Sequence, residues 1–69
     1  MYKYIINSNK DEKGLNEVHK TDCFRLPLLQ NRIDLGFFSN EIDAVNHAKS
    51  HGWLSADGCW YCCPKAHHG

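Results

Sequence analysis

Apolar and polar residues alternate at the start of the chain, where Tyr2, Tyr4 and Ile6 are interleaved with Lys3, Ile5 and Asn7. A period of two predicts a β-strand. The polar run Asn7 to Lys13, closed by Gly14, reads as a turn or loop. The short segment Leu15 to His19 reads as a second strand pairing with the first, with His19 delivered to the sheet's end. Phe24, Leu26, Leu28 and Leu29 surround Pro27, a residue tolerated at the first position of a helical turn. Ile33, Leu35 and Phe37 then alternate with Asp34, Gly36 and Phe38, predicting a third strand with the first three on one face.

The period changes after Phe38. Ile42, Val45 and Ala48, with Ala44 beside them, form an apolar stripe at helical spacing. Ser39 or Asn40 can cap the free amides, and Glu41 and Asp43 suit the positive end of the helix dipole. Gly52 is placed to end the helix, so it is expected over about Asn40 to His51. Trp53 and Leu54 are expected to fold back onto the core, and Ser55 to Gly58 to form a turn that presents Cys59. The residues after Pro64, Lys65 to Gly69, are expected as a flexible tail. The pattern predicts a single α+β domain over 1–69, with a core over about 2–64. Three largely antiparallel strands and one main helix are expected, held together by a staple.

The staple follows from size. A chain of 69 residues buries only about 60 % of the surface its unfolded form exposes, so such domains need disulfides, a metal or a partner. Four cysteines and five histidines supply the means. No apolar run suits a signal peptide or a membrane helix, so the expected compartment is the reducing cytoplasm, where thiols hold metal more often than they pair. Eight basic and eight acidic residues give zero formal charge, and the lysines and arginines are scattered. This argues against strong unselective attraction to nucleic acid.

The chemistry concentrates in two segments. His19-Lys20-Thr21-Asp22-Cys23 spells H-x3-C, and after a gap of 35 residues Cys59-Trp60-Tyr61-Cys62 spells C-x2-C. Two cysteines separated by two residues in a tight turn can direct both sulfurs at one ion while nearby amides bond to the thiolates. A second pair from a distant part of the chain completes the tetrahedron that zinc adopts in structural sites. His19, Cys23, Cys59 and Cys62 are therefore the expected ligands of one Zn²⁺, with a net site charge of −1. Cys63, adjacent to Cys62, is a rival ligand or a packed or free thiol. His67 and His68 lie at ligand spacing behind Cys63 and could replace His19. His47 and His51 share a helix face, but no glutamate completes a catalytic arrangement, so solvated surface histidines are the plainer reading.

The segment from about Val18 to Pro64 resembles the Ada-like zinc-binding domains, the N-terminal metal-binding domain of the bacterial Ada DNA-repair protein and small stand-alone relatives. The resemblance lies in His19-x3-Cys23, Phe37-Phe38-Ser39, Ala44 within the helix, Gly52, and Cys59-x2-Cys62 with Pro64. It implies a zinc-centred fold. In the repair protein the first ligand of the x3 pair is a cysteine that accepts a methyl group, and here that position is His19. A zinc-bound imidazole lacks the thiolate nucleophile, so methyl transfer is expected to be absent.

All four tetrahedral positions can be filled from the chain, and a catalytic zinc keeps one open. The expected function is a non-enzymatic, monomeric zinc-binding module that engages a protein or nucleic-acid partner. Trp60 and Tyr61 are the aromatic residues expected to lie at its surface. The alternative is zinc-tuned thiol chemistry, with Cys62 or Cys63 as a redox-active or alkyl-accepting nucleophile.

Overall fold

A computed structural model describes residues 1–69 as a four-stranded mixed sheet with one helix, a small α+β fold. The strands are β1 (Tyr2–Asn7), β2 (Asn16–Lys20), β3 (Arg32–Phe38) and β4 (Ala56–Gly58), in the order β3-β1-β2-β4. β1 pairs antiparallel with both β2 and β3. The expected three-stranded antiparallel sheet thus gains a fourth strand, and that strand is parallel to β2. β4 holds only three residues, in the segment expected as a turn. Ala-Asp-Gly has no strand propensity, and its pairing with Asn16, Glu17 and Val18 is fixed by tertiary context alone.

The helix α1 (Glu41–Ser50) lies within the expected span, flanked by the caps Asn40 and His51. Of the two candidate caps, Asn40 is used: its Oδ1 accepts from the Asp43 amide at 2.9 Å. Gly52 follows at φ 99°, a left-handed conformation that favours glycine. Ala44, Val45 and Ala48 are buried against Tyr4, Ile6, Val18, Ala56, Cys63 and Ala66 to form the core. Ile42, expected in the stripe, is exposed. Trp53 packs on the core, whereas Leu54 points outward.

β3 departs from simple alternation. The register with β1 shifts between Tyr4, opposite Gly36, and Ile5, opposite Asp34, so Leu35 is the extra residue of a bulge. The bulge resets the phase. Leu35 and Phe38 pack on the core, while Ile33 and Phe37, expected beside Leu35 on one face, are exposed.

Residues 65–69, expected as a flexible tail, are tied to the body. Pro64–Ala66 forms a 3₁₀ turn with Ala66 buried. The Lys65 amide donates to Glu41 Oε2, and the amides of His68 and Gly69 donate to the Asp57 carboxylate. Gly58 makes this passage possible. A Cβ there would stand 2.6 Å from the Cys63 carbonyl oxygen and 2.9 Å from Ala66 Cβ.

Candidate metal centre

The parallel pairing of β2 with β4 builds the site. Parallel strands leave the sheet at the same edge, so the residues that follow them emerge side by side. The ladder continues one step past β4, with the Cys59 amide donating to Val18 O at 2.9 Å. This sets Cys59 next to His19. Each strand then enters a tight turn: the Cys23 amide donates to Lys20 O, and the Cys63 amide to Cys59 O. Those turns bring Cys23 and Cys62 around to face the first two residues.

One ligand atom from each of His19, Cys23, Cys59 and Cys62 lies within 4.8 Å of the others. A tetrahedron with sulfur about 2.3 Å and nitrogen about 2.0–2.1 Å from its centre has edges of about 3.6–3.8 Å. The widest separation in the cluster thus exceeds those edges by about 1 Å, a gap that small side-chain movements would close around an ion. His19 Nδ1 stands 3.9 Å from Cys62 Sγ, so Nδ1 is the nitrogen that faces the sulfurs.

Backbone amides face the sulfurs. Arg25 N donates to Cys23 Sγ at 3.3 Å, Tyr61 N to Cys59 Sγ at 3.4 Å, and Lys20 N to Cys62 Sγ at 3.4 Å. Hydrogen bonds to the charged form favour it, so these three donors spread the negative charge that three thiolates bring. Burial acts in the opposite direction. It pushes the thiol of Cys59 up to about 11 and raises that of Cys23. Cys62 is raised first by its contact with the Cys63 thiol and then by burial. His19, 1 % exposed, is pushed down to about 4 by burial, with Arg25 and Arg32 adding to the effect. The neutral imidazole is the form that binds metal. A cation is what makes buried thiolates tolerable.

Glu17 was not foreseen as part of the site. It lies two residues before His19 on β2, and its Oε1 stands 3.5 Å from His19 Nε2. A carboxylate on the far nitrogen of a ligating imidazole fixes its tautomer and orientation. The signal was present in the sequence: i and i+2 on a strand share a face.

The turns also clasp each other. The Arg25 guanidinium lies 5.0 Å from the centre of the Trp60 ring, and the Phe24 and Tyr61 rings are 6.1 Å apart. Trp60 and Tyr61 are both more than half exposed. Cys63 faces away from the cluster: it is fully buried in the apolar core, with its sulfur 3.7 Å from that of Cys62. His67 and His68 also stay outside. The His67 ring donates through Nδ1 to Gly58 O at 3.0 Å.

This arrangement can hold a metal ion. No helix is long and apolar enough to cross a membrane. No family model, curated protein or solved structure matches the chain, and so none of these comparisons identifies an Ada-like domain.

Proposed function

We propose that the chain is a zinc-binding module whose Zn²⁺ is structural, held by Cys23, Cys59, Cys62 and the Nδ1 of His19. The observation that carries this reading is the convergence of those four ligand atoms within 4.8 Å. Three thiolates and one imidazole match the donor set of structural zinc and fill all four tetrahedral positions. No position is left for a water or a substrate, which favours an interaction module over an enzyme. In this reading the protein works as a monomer in the cytoplasm on a protein or nucleic-acid partner, with the exposed Trp60 and Tyr61 on the contact surface. The order and spacing of the ligand pairs support kinship with the Ada-like domains, with His19 in place of the methyl-accepting cysteine. The thiol-chemistry alternative is weakened at Cys63 by its full burial, since reactive cysteines sit in partially exposed surroundings.

Native mass spectrometry with and without chelator, paired with proton–nitrogen correlation spectra, tests the proposal. One zinc per chain, with amide dispersion collapsing on its removal, is the expected result. A metal-free chain that stays folded would overturn the structural role.

A further inference from the structure

Away from the cysteine cluster, the last two turns of α1 carry a second group of donors. His47 and His51 are four residues apart and share a face of the helix. Their ring centres are 4.1 Å apart. The His47 ring also rests on Phe38, 4.9 Å between centres, which limits its rotation.

The hydrogen bonds define which nitrogen of His51 is available. His47 O is a carbonyl and can only accept, and His51 Nδ1 stands 2.9 Å from it. Nδ1 therefore carries the hydrogen, and the lone pair is on Nε2. The same carbonyl accepts from the Ser50 hydroxyl at 2.8 Å and from the His51 amide at 3.2 Å. An imidazole anchored through one nitrogen to a backbone carbonyl has the outer-shell arrangement that orients metal-bound histidines. No hydrogen bond from the protein engages the His47 ring, so it too retains a free lone pair. The pair sits at the helix C-terminus, where the unpaired carbonyls favour positive charge. Lys49, the one basic residue between them, is two positions from each and projects from a different side of the helix.

We propose that His47 and His51 form a second metal site, a two-imidazole chelate on the surface of α1 for a borderline divalent transition-metal ion such as Ni²⁺, Cu²⁺ or Zn²⁺. Imidazole is the ligand type these ions share. Two protein ligands leave the remaining coordination positions to water. The ion is thus exchangeable, unlike one held in the closed cysteine cluster. The site rests on its own geometry and does not depend on the cysteine cluster holding zinc.

The test uses the full chain, supplied first with one equivalent of Zn²⁺ and then titrated with Ni²⁺ in mildly alkaline buffer. Imidazole nitrogen–proton spectra should show selective paramagnetic broadening of His47, His51 and the neighbouring Phe38 ring. His51→Ala, at an exposed position, and His47→Gln, which keeps bulk against Phe38, should each abolish that broadening. His67→Ala with His68→Ala should leave it unchanged. Broadening centred on His67 and His68, broadening that survives His51→Ala, or none at millimolar Ni²⁺ would overturn the proposal. A nickel–thiolate absorption band without broadening at His47 would place the ion among the cysteines and overturn it equally.

Discussion

Between α1 and the sheet, Tyr4, Ile6, Val18, Ala44, Val45 and Ala48 bury surfaces that water gains by releasing. At the ends of β2 and β4 the chain buries two thiols and an imidazole and half-buries a third thiol, groups with little to gain from leaving water. The first region is thin: Tyr4, Ile6 and Val18 are its largest fully buried apolar side chains, and α1 faces them with two alanines and a valine. The second would become favourable with a cation, whose binding free energy is at the same time folding free energy. Structural zinc in small peptides contributes on the order of 10–16 kcal/mol near neutral pH. On the proposed reading the two regions divide the labour: the core sets which strands pair, and the metal-filled cluster decides whether the paired state persists.

Neighbouring cysteines give the sharpest way to break this comparison, because Cys62 belongs to one region and Cys63 to the other. Cys62→Ala is expected to remove metal binding and, with it, the dispersed amide spectrum. Cys63→Ala leaves a small void in the core, expected to cost about 1–2 kcal/mol, with one metal per chain retained. Denaturation curves and metal content of the two variants decide the matter. Metal lost in Cys63→Ala but kept in Cys62→Ala would reverse the assignment.

Acid should act on the cluster before it acts on the core. His19 has an ordinary value of 6.5 when unfolded and is pushed down to about 4 in the fold. A depressed value means that the unfolded chain binds the proton more readily. The stability it confers is present above about 6.5 and lost as pH falls toward 4, a loss of about 3 kcal/mol. Metal on Nδ1 and on the thiolates opposes protonation too, so the sign is unchanged. Circular dichroism and a metal indicator, followed through acidification, should report unfolding and metal release together. A fold that persists at pH 4 after releasing its metal would break the coupling.

Glu17→Gln probes the edge of the cluster more gently. The amide keeps the shape but lacks the charge that holds the Nε2 hydrogen of His19. Loss of such an outer-shell partner is expected to weaken metal affinity about 10–100-fold. Chelator competition measures it. Unchanged affinity would mean that the 3.5 Å approach does not orient the ring.

Much of this arrangement could be read from residue order, and the parts that could not share a cause. The helix was legible because the Asn40 cap, the acidic first turn, the apolar stripe and Gly52 all agree locally. The four clustered residues were legible because H-x3-C and C-x2-C are spacings that a metal would impose on the chain itself. β4 was not, because Ala56-Asp57-Gly58 becomes a strand only when β2 lies beside it. The exposure of Phe37 was missed because one extra residue at Leu35 inverts the alternation downstream, and a bulge leaves little trace in the pattern. The binding of residues 65–69 depends on Asp57 and Glu41, contacts distant in sequence that periodicity does not report.

The smallest effect concerns Tyr4, where the two regions touch. Its ring is fully buried in the core, and its hydroxyl has no hydrogen-bond partner. Burial, followed by the charges of Cys63 and Glu41, pushes that hydroxyl up to about 12. The hydroxyl therefore stays neutral and adds an unsatisfied polar atom to an apolar cluster. Removing such a group avoids its desolvation penalty, so Tyr4→Phe is expected to stabilise the metal-bound protein by about 1 kcal/mol without altering metal affinity. Thermal denaturation beside a chelator competition would check both. A variant that is less stable and also binds metal more weakly would show the hydroxyl bonding to the Cys63 thiol. The boundary between core and cluster would then be a shared hydrogen-bond network through Cys63 and Cys62, and not a simple seam.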